Sequence, residues 1–397
     1  MNLNEIAKKI GIEKYDAIPE GMLAYYPVPE ERKEELCSLE MIDRLQDRFH
    51  FFKEYYPVVK EYRAALEQDP AKKAYVDVAS LYMKDSPYEK CTKIPVPAPD
   101  GTPSGDLLQL FIHLPSIESA YDQYRKRGFS HEETLSLLDC YYDDLAHTHK
   151  NVVGRPALVD IYFRWLCLYT KALIFYHRGL NYQLATNKSI YVLKQKNTKE
   201  LRILSKEGKM IHRGGYPLGT VDFEDEEGAI ETTFEETEDA YFGFSVQNLL
   251  FSTKKERFPK SEWEMVCTLH DSCVAVHIPK QTDLSEENIT RSLEEAKEIV
   301  ATRYPEFKPR FFTCNSWLLS GDLKKIMKPG SRILSFGERY VRYPVKSNGQ
   351  SVFVFVFPQN FKGSMEDLPE DTSLMRALKK MYIEGDHIHN YGGIIEF

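Results

Sequence analysis

Residues 273–278 read Cys273-Val274-Ala275-Val276-His277-Ile278, and residues 310–319 read Arg310-Phe311-Phe312-Thr313-Cys314-Asn315-Ser316-Trp317-Leu318-Leu319. The first run alternates, with Cys273, Ala275 and His277 on one face of an extended chain and three β-branched residues on the other. Pro279 ends it. After a short polar loop, Asp283 or Ser285 can cap a helix in which Ile289, Leu293, Ala296 and Val300 recur at helical spacing. Proline disfavours the α region in the residue before it, so this helix stops near Tyr304-Pro305. The second run, aromatic and apolar, follows Pro309 as another strand. Two strands joined by one helix most simply form a right-handed crossover with the strands parallel.

Working outward, the first hundred residues read as helical pieces divided by proline. Met41, Leu45, Phe49 and Phe52 share a face expected to run to Tyr56-Pro57, and a second apolar piece spans Ala71 to Met83. Ile94 to Pro103 is too proline-rich for regular structure and reads as an extended connector. Three longer helices are expected next: Leu107 to Arg127, Ser130 to His147 opening on a Ser130-x-x-Glu133 box, and Arg155 to Arg178 ending at Gly179. The last is apolar nearly all round, which predicts the centre of a helical layer. Beyond Gly179 the period changes to 2, placing strands near Tyr182 to Leu184, Ser189 to Leu193, Leu201 to Leu204 and Lys209 to Arg213. Past the central stretch, Asp322 to Met327 reads as a short helix. Ile333 to Tyr343 and Ser351 to Phe357 read as strands with Asn348-Gly349 as a hairpin turn, and Thr372 to Glu384 as a closing helix. The expected fold class is α+β, with an all-α domain over residues 1–178 and an α/β domain with a twisted mixed sheet over 179–397.

A chain of 397 residues has room for two cores, and 42% hydrophobic with 28% charged residues is the balance of a soluble globular protein. A formal charge of −8 without a basic stripe argues against a nucleic-acid partner. The opening Met1-Asn2-Leu3-Asn4-Glu5-Ile6 lacks the basic start and apolar core of a signal peptide, and no run approaches the length of a membrane span. A cytoplasmic protein with reduced, buried cysteines is expected, because none of the seven forms a C-x-x-C pair. Between Asp222 and Asp239 lie ten acidic residues and no Lys or Arg. That run is either a solvated hairpin flank or an acidic rim that attracts a cationic amine.

His277-Ile278-Pro279, Ser292-Leu293 with Ala296, and Cys314-Asn315-Ser316-Trp317-Leu318-Leu319 together resemble the C-terminal domain of the two-domain GNAT-related acyltransferases, the glycopeptide N-acyltransferase-like family. Leu323, Ser331-Arg332-Ile333-Leu334, Phe336, Leu368-Pro369, Thr372-Ser373-Leu374 and Arg376-Ala377 follow in the order that family keeps. The resemblance implies a bacterial-type enzyme with a helical N-terminal domain and a GNAT-like acyltransferase domain. Its reaction would move an acyl group from acyl-CoA to a small-molecule amine acceptor bound between the domains. Acyl-CoA would be a cosubstrate, with no permanently bound cofactor and no metal. The wider superfamily cradles the CoA pyrophosphate in a glycine-rich loop. Here the loop is Lys280-Gln281-Thr282-Asp283-Leu284-Ser285, without glycine. A non-catalytic acyl- or CoA-binding protein on a degenerate acyltransferase fold therefore stays open as a second class. An interaction scaffold built on the helical half is a third.

Acyl transfer to an amine needs a base for the amine proton and a donor for the oxyanion. The resemblance puts His277 at the place of the base, and an imidazole suits that task at neutral pH. A core histidine bonded to a backbone carbonyl is the alternative. Ser316 is the second catalytic candidate, and Asn315 a hydrogen-bonding contact to the cofactor. Ile278, Lys280 and Ser285 complete the expected CoA site, Lys280 and the helix start at Ser285 facing the phosphates. Cys314 lies in an aromatic strand with no basic neighbour, so it makes a poor nucleophile. His147-x-His149 and His387-x-His389 have metal-like spacing but read as capping or solvated pairs. Should His277 not be the base, Glu264, His270 and Ser316 come next.

Overall fold

The computed structural model describes residues 1–358, 361 and 363–397. The chain divides into two compact units, residues 1–175 and 176–397, and the division falls within a strand, Ile174–His177 (β1).

The first unit is helical: Leu3–Lys9 (α1), Leu39–Phe49 (α2), Tyr56–Glu67 (α3), Pro70–Asp85 (α4), Leu108–His113 (α5), Ile117–Lys126 (α6), His131–Leu138 (α7), Cys140–His147 (α8) and Asp160–Thr170 (α9). Its centre is α4. Asp69 accepts from the Lys72 amide at the helix start, Pro70 fills the first turn, and every residue from Tyr75 to Met83 is buried. Burying a large apolar side chain contributes about 2 kcal/mol, so this helix holds the layer together. Of the Arg155 to Arg178 helix expected for that place, only Asp160–Thr170 (α9) forms. Pro156 lies ahead of the helix start at Asp160, and Ala172 at φ 50 ends the helical path after Thr170. Ile174 to His177 then enter a sheet. The helix at Met41 likewise stops at Phe49, where His50 turns left-handed (φ 50), and Tyr56-Pro57 starts α3 where it was expected to end a helix. The Leu107 to Arg127 span breaks at the 3-10 turn Leu114–Ser116, which contains Pro115, and the Ser130 to His147 span breaks at Asp139.

The second unit is built on a six-stranded sheet. To β1 it adds Leu180–Thr186 (β2), Ser272–His277 (β6), Phe311–Ser316 (β7), Val341–Pro344 (β8) and Tyr391–Glu396 (β9), in the order β1-β2-β6-β7-β9-β8. A second sheet has Trp263–Cys267 (β5) and Leu201–Ser205 (β4) on either side of Ile190–Gln195 (β3). Between the two sheets lies a core that includes Val192, Ile203, Cys267, Phe311 and Ile394. On the other face of the six-stranded sheet, Glu286–Arg303 (α10) buries Ile289, Leu293, Ala296 and Val300, and its Ser292 hydroxyl bonds the Tyr182 hydroxyl of β2 at 2.7 Å. One expected strand is shortened and another is replaced by a helix. Ser331 caps a helix, Arg332–Glu338 (α11), so only Val341 to Pro344 of that stretch is extended. Ser351–Val356 is also helical (α12), and the turn at Asn348-Gly349 therefore joins no hairpin. The closing helix is Ser373–Ile383 (α13). Among the described residues no helix is long and apolar enough to cross a membrane.

Candidate active site

The β6 strand is paired along its whole length on one side and only partly on the other. Against β2 it runs antiparallel from Ser272 opposite Thr186 to His277 opposite Asn181. Against β7 it runs parallel, and only Cys273, Val274 and Ala275 are paired, with Phe311, Phe312 and Thr313. The other edge of β7 stays paired with β9 from Phe311 to Ser316. The ladder thus stops at Ala275 and Thr313, while Val276-His277 and Cys314-Asn315-Ser316 continue beyond it on facing strands. Backbone groups on those two edges are left to bind something other than each other. A flat acyl thioester, with one carbonyl to satisfy, suits such an opening.

Alternation sorts the side chains around this gap. His277 and Asn315 follow Ala275 and Thr313 on one face, whereas Ser316 falls with Cys314 on the other. The sequence candidates are therefore split. Asn315 is exposed, and the Ser316 hydroxyl accepts from the Leu318 amide at 3.1 Å, capping the 3-10 turn Trp317–Leu319. Cys314 is buried, and burial pushes its thiol up to about 12. His277 is half-buried, with Nε2 2.9 Å from Gln183 Oε1. Donation to that amide oxygen puts the ring proton on Nε2 and the lone pair on Nδ1. Burial also lowers its pKa to about 4, so the ring is neutral throughout the physiological range. Of the fallback residues, His270 lies beyond the opposite end of β6, in a turn at φ 74.

Past His277 the chain enters a cavity of about 360 Å³ lined by residues that include Tyr176, Gly179, Pro279, Lys280, Thr282 and Asn288. The β1–β2 turn supports it. Arg178 (φ 46) and Gly179 (φ 86) both take left-handed conformations, the geometry of a tight two-residue hairpin. Their carbonyls then clamp the loop: Gly179 accepts from Thr282 Oγ1 at 2.7 Å and Arg178 from Asn288 Nδ2 at 3.2 Å. Lys280 is exposed on the cavity wall, and Ile278 is half-buried beside it. Ser285 is the first residue of the α10 cap by position, yet its side chain caps nothing. Its hydroxyl donates instead to Asp283 Oδ2 at 2.8 Å, its amide donates to Asp283 Oδ1 at 3.0 Å, and Arg332 Nη1 lies 3.1 Å from the same Oδ1. The Ser285 bonds hold the Asp283 carboxyl below its usual range. A carboxylate therefore already occupies the start of α10, where a phosphate was expected.

The sequence missed Gln183, Tyr176 and the Arg178-Gly179 turn. Gln183 is visible as a polar position in an alternating strand, but its register opposite Ala275 is not. The two metal-like pairs are separately satisfied. His149 Nδ1 meets the Tyr55 hydroxyl at 3.0 Å, His387 Nδ1 meets Asp222 at 2.9 Å, and His389 Nδ1 meets Asp322 at 2.8 Å. Among the described residues no cluster of three His, Cys, Asp or Glu could hold a metal ion. Five of the ten carboxylates in the acidic run pair with cations: Asp225 and Glu227 with Arg213, Glu235 with Lys255, Glu236 with Lys260 and Asp239 with Arg257.

Residues 215–395 match the family model of the GNAT-like C-terminal domain. No curated protein gives a significant sequence match. Among solved structures, an acyltransferase in complex with decanoyl-CoA and teicoplanin superposes with a TM-score of 0.61 at 15% identity, over 100% of this chain and 99% of that one. An acyltransferase with CoA and 10C-teicoplanin gives 0.62 at 14% over 100% and 99%, and one with decanoyl-CoA gives 0.62 at 16% over the full length of both. Identities this low establish shared architecture and leave the chemistry to the residues. Residues 215–395 are similar to the GNAT-like C-terminal domain, and from end to end the chain has the α+β fold of these acyltransferases.

Proposed function

We propose that this protein transfers an acyl group from acyl-CoA to a small-molecule amine. The observation that carries the reading is the early end of the β6–β7 ladder with His277 at its open end. In this reading the thioester lies in the gap with its carbonyl oxygen bonded by backbone amides of the open edges. The amine attacks the carbonyl carbon, His277 Nδ1 takes the amine proton, the C–S bond breaks, and the imidazolium returns that proton to the departing thiolate, so that CoA leaves as the thiol. A ring held neutral can accept that proton at any pH above about 4. Asn315, on the His277 face, is proposed to touch the donor near the thioester. Ser316 is assigned a second-rank catalytic role, since its hydroxyl is engaged locally. Ile278, Lys280 and Ser285 are proposed to meet the pantetheine and phosphates, with the cavity beyond Pro279 as the binding volume. The structures with acyl-CoA and teicoplanin support both the donor class and an amine acceptor. Two functional domains over 1–178 and 179–397, and a cytoplasmic, bacterial-type setting, belong to the same proposal.

The second reading, a non-catalytic acyl- or CoA-binding protein, is favoured by the Asp283 carboxylate at the start of α10 and the glycine-free loop. Mass spectrometry of small molecules copurifying with the protein, followed by thermal shift with CoA and decanoyl-CoA, separates the readings. Acyl-CoA should be retained and should raise the melting temperature by mass action. No shift at millimolar concentrations of either would count against both.

A further inference from the structure

The His387-x-His389 pair forms, with Asp222 and Asp322, a cluster of charge inside the second unit. His389 is buried, and every polar atom that its ring nitrogens meet is an acceptor: Nδ1 lies 2.8 Å from Asp322 Oδ2, and Nε2 lies 3.1 Å from the Val221 carbonyl and 3.4 Å from Asp222 Oδ2. Asp322 stays ionised, because its Oδ2 also accepts from the His389 amide at 3.3 Å and the Ser320 hydroxyl at 3.1 Å, while Oδ1 faces Lys325 Nζ at 3.6 Å. A backbone carbonyl has no proton to give. Both ring nitrogens must therefore carry one, and His389 is an imidazolium. The ring joins three segments: the loop holding Val221 and Asp222 (φ 71), the 3-10 turn Gly321–Lys325 and the entry to β9. Among the other titratable groups around it, His387 Nδ1 also meets Asp222 at 2.9 Å, and Lys325 reaches Asp386 at 3.6 Å. The Tyr216 ring lies 4.8 Å away with its hydroxyl bonded to that of Tyr391, and the Tyr382 hydroxyl of α13 is taken by the Gly349 carbonyl and the Ile388 amide.

We propose that this cluster is an alkaline-sensitive lock, in which the His389 imidazolium holds the Val221-Asp222 loop against the entry of β9 and releases it on losing a proton. Asp322 keeps the Nδ1 proton, because its bond is the shorter and a carboxylate accepts more strongly than a carbonyl. The proton lost to solvent base is then the one on Nε2. A lone pair is left facing the Val221 carbonyl and the Asp222 carboxylate, two acceptors that repel it where a bond had been. The Val221 amide is bonded to the Ser347 carbonyl at 2.8 Å, so its exchange with solvent reports whether the loop lifts. Burial alone would lower the pKa of His389, but the Asp322 carboxylate, the Val221 carbonyl and the Asp222 charge raise it above its ordinary value. The unfolded value is about 6.5, so this contribution to stability is complete below that pH and is lost as the pH rises through the folded value.

The lock requires neither acyl donor nor acceptor, so it stands or falls apart from the transferase reading. In the nitrogen-15-labelled full-length protein, histidine ring shifts are followed from about pH 6 to pH 9.5, with His389→Gln identifying the signal. Asp322→Asn, which should move that titration to lower pH, identifies it if His389→Gln does not fold. His389 should remain mostly doubly protonated at pH 7, where an ordinary histidine is about three-quarters neutral. Amide exchange, corrected for its intrinsic rise with pH, should quicken on the order of tenfold at residues 220–223 as the signal titrates, and not at residues 273–277. His389→Gln should abolish that step. A ring found neutral at pH 7 would overturn the proposal, as would a titration that leaves exchange at residues 220–223 unchanged.

Discussion

His113 in the helical unit and His277 at the end of β6 are both neutral because burial disfavours their charge, and they do opposite things. His113 is fully enclosed, with Nε2 donating to the Phe163 carbonyl at 3.2 Å and Nδ1 beside the hydroxyls of Thr170 (3.0 Å) and Tyr141 (3.3 Å). Every polar atom of that ring has a partner inside the layer, so it locks three helices. His277 meets the Gln183 side-chain amide at Nε2 and stands where a strand ladder has stopped. A depressed pKa therefore does not by itself mark a functional histidine. What separates the two is the backbone around them, closed in one case and open in the other.

The largest expected effect tests that contrast directly. His277→Ala should lower acyl transfer by on the order of 10²- to 10⁴-fold with a stability loss of about 1 kcal/mol or less. His113→Ala should do the reverse, costing about 2 to 4 kcal/mol in a urea titration by leaving a cavity in the helical layer and removing the ring's bonds to the Phe163 carbonyl and the Thr170 hydroxyl. If His277→Ala turns over at the wild-type rate, the base is a water or another group, and the comparison loses its functional half.

Acid should affect both residues alike. Their folded pKa values, about 3 for His113 and about 4 for His277, lie below the unfolded value of about 6.5. Below pH 6.5 the unfolded chain then binds more protons than the folded one, so stability falls as pH drops towards those values. By pH 5 each histidine should have removed about 2 kcal/mol, measurable as a smaller pH 7.5-to-5 change in urea midpoint when either is replaced by glutamine. The base-dependent limb of the pH–rate profile should likewise lie near pH 4. A limb at 6.5 would mean that His277 is more solvated than its packing indicates.

Two smaller effects sharpen the picture of the cavity. Asp283→Asn keeps an acceptor for the Ser285 amide but removes the charge at the start of α10, so CoA should bind about two- to fivefold tighter by calorimetry. Lys280→Ala should weaken it by about as much; no change in either variant would move the phosphates elsewhere. Smallest of all, Cys314→Ala should leave the rate within about twofold, because a thiol pushed to about 12 supplies no thiolate nucleophile.

Local signals determined a good part of this protein from sequence alone. Alternation over residues 273–278, helical spacing from Ile289 to Val300 and the aromatic run after Pro309 are short-range patterns, and they located β6, α10 and β7. They also put His277 on the face it occupies. Where the sequence misled, tertiary context outweighed local preference. Ser351-Val352-Phe353-Val354-Phe355-Val356 has the β-branched and aromatic content of a strand and is a helix, and residues 155–178 look helical while their last residues pair with β2. The site itself depended on facts no periodicity contains. Where the β6–β7 ladder stops and that Gln183 lies beside His277 are relations between residues tens of positions apart in the chain. They are decided by strand register and by hydrogen bonds made only once the chain has folded, so only the tertiary structure could supply them.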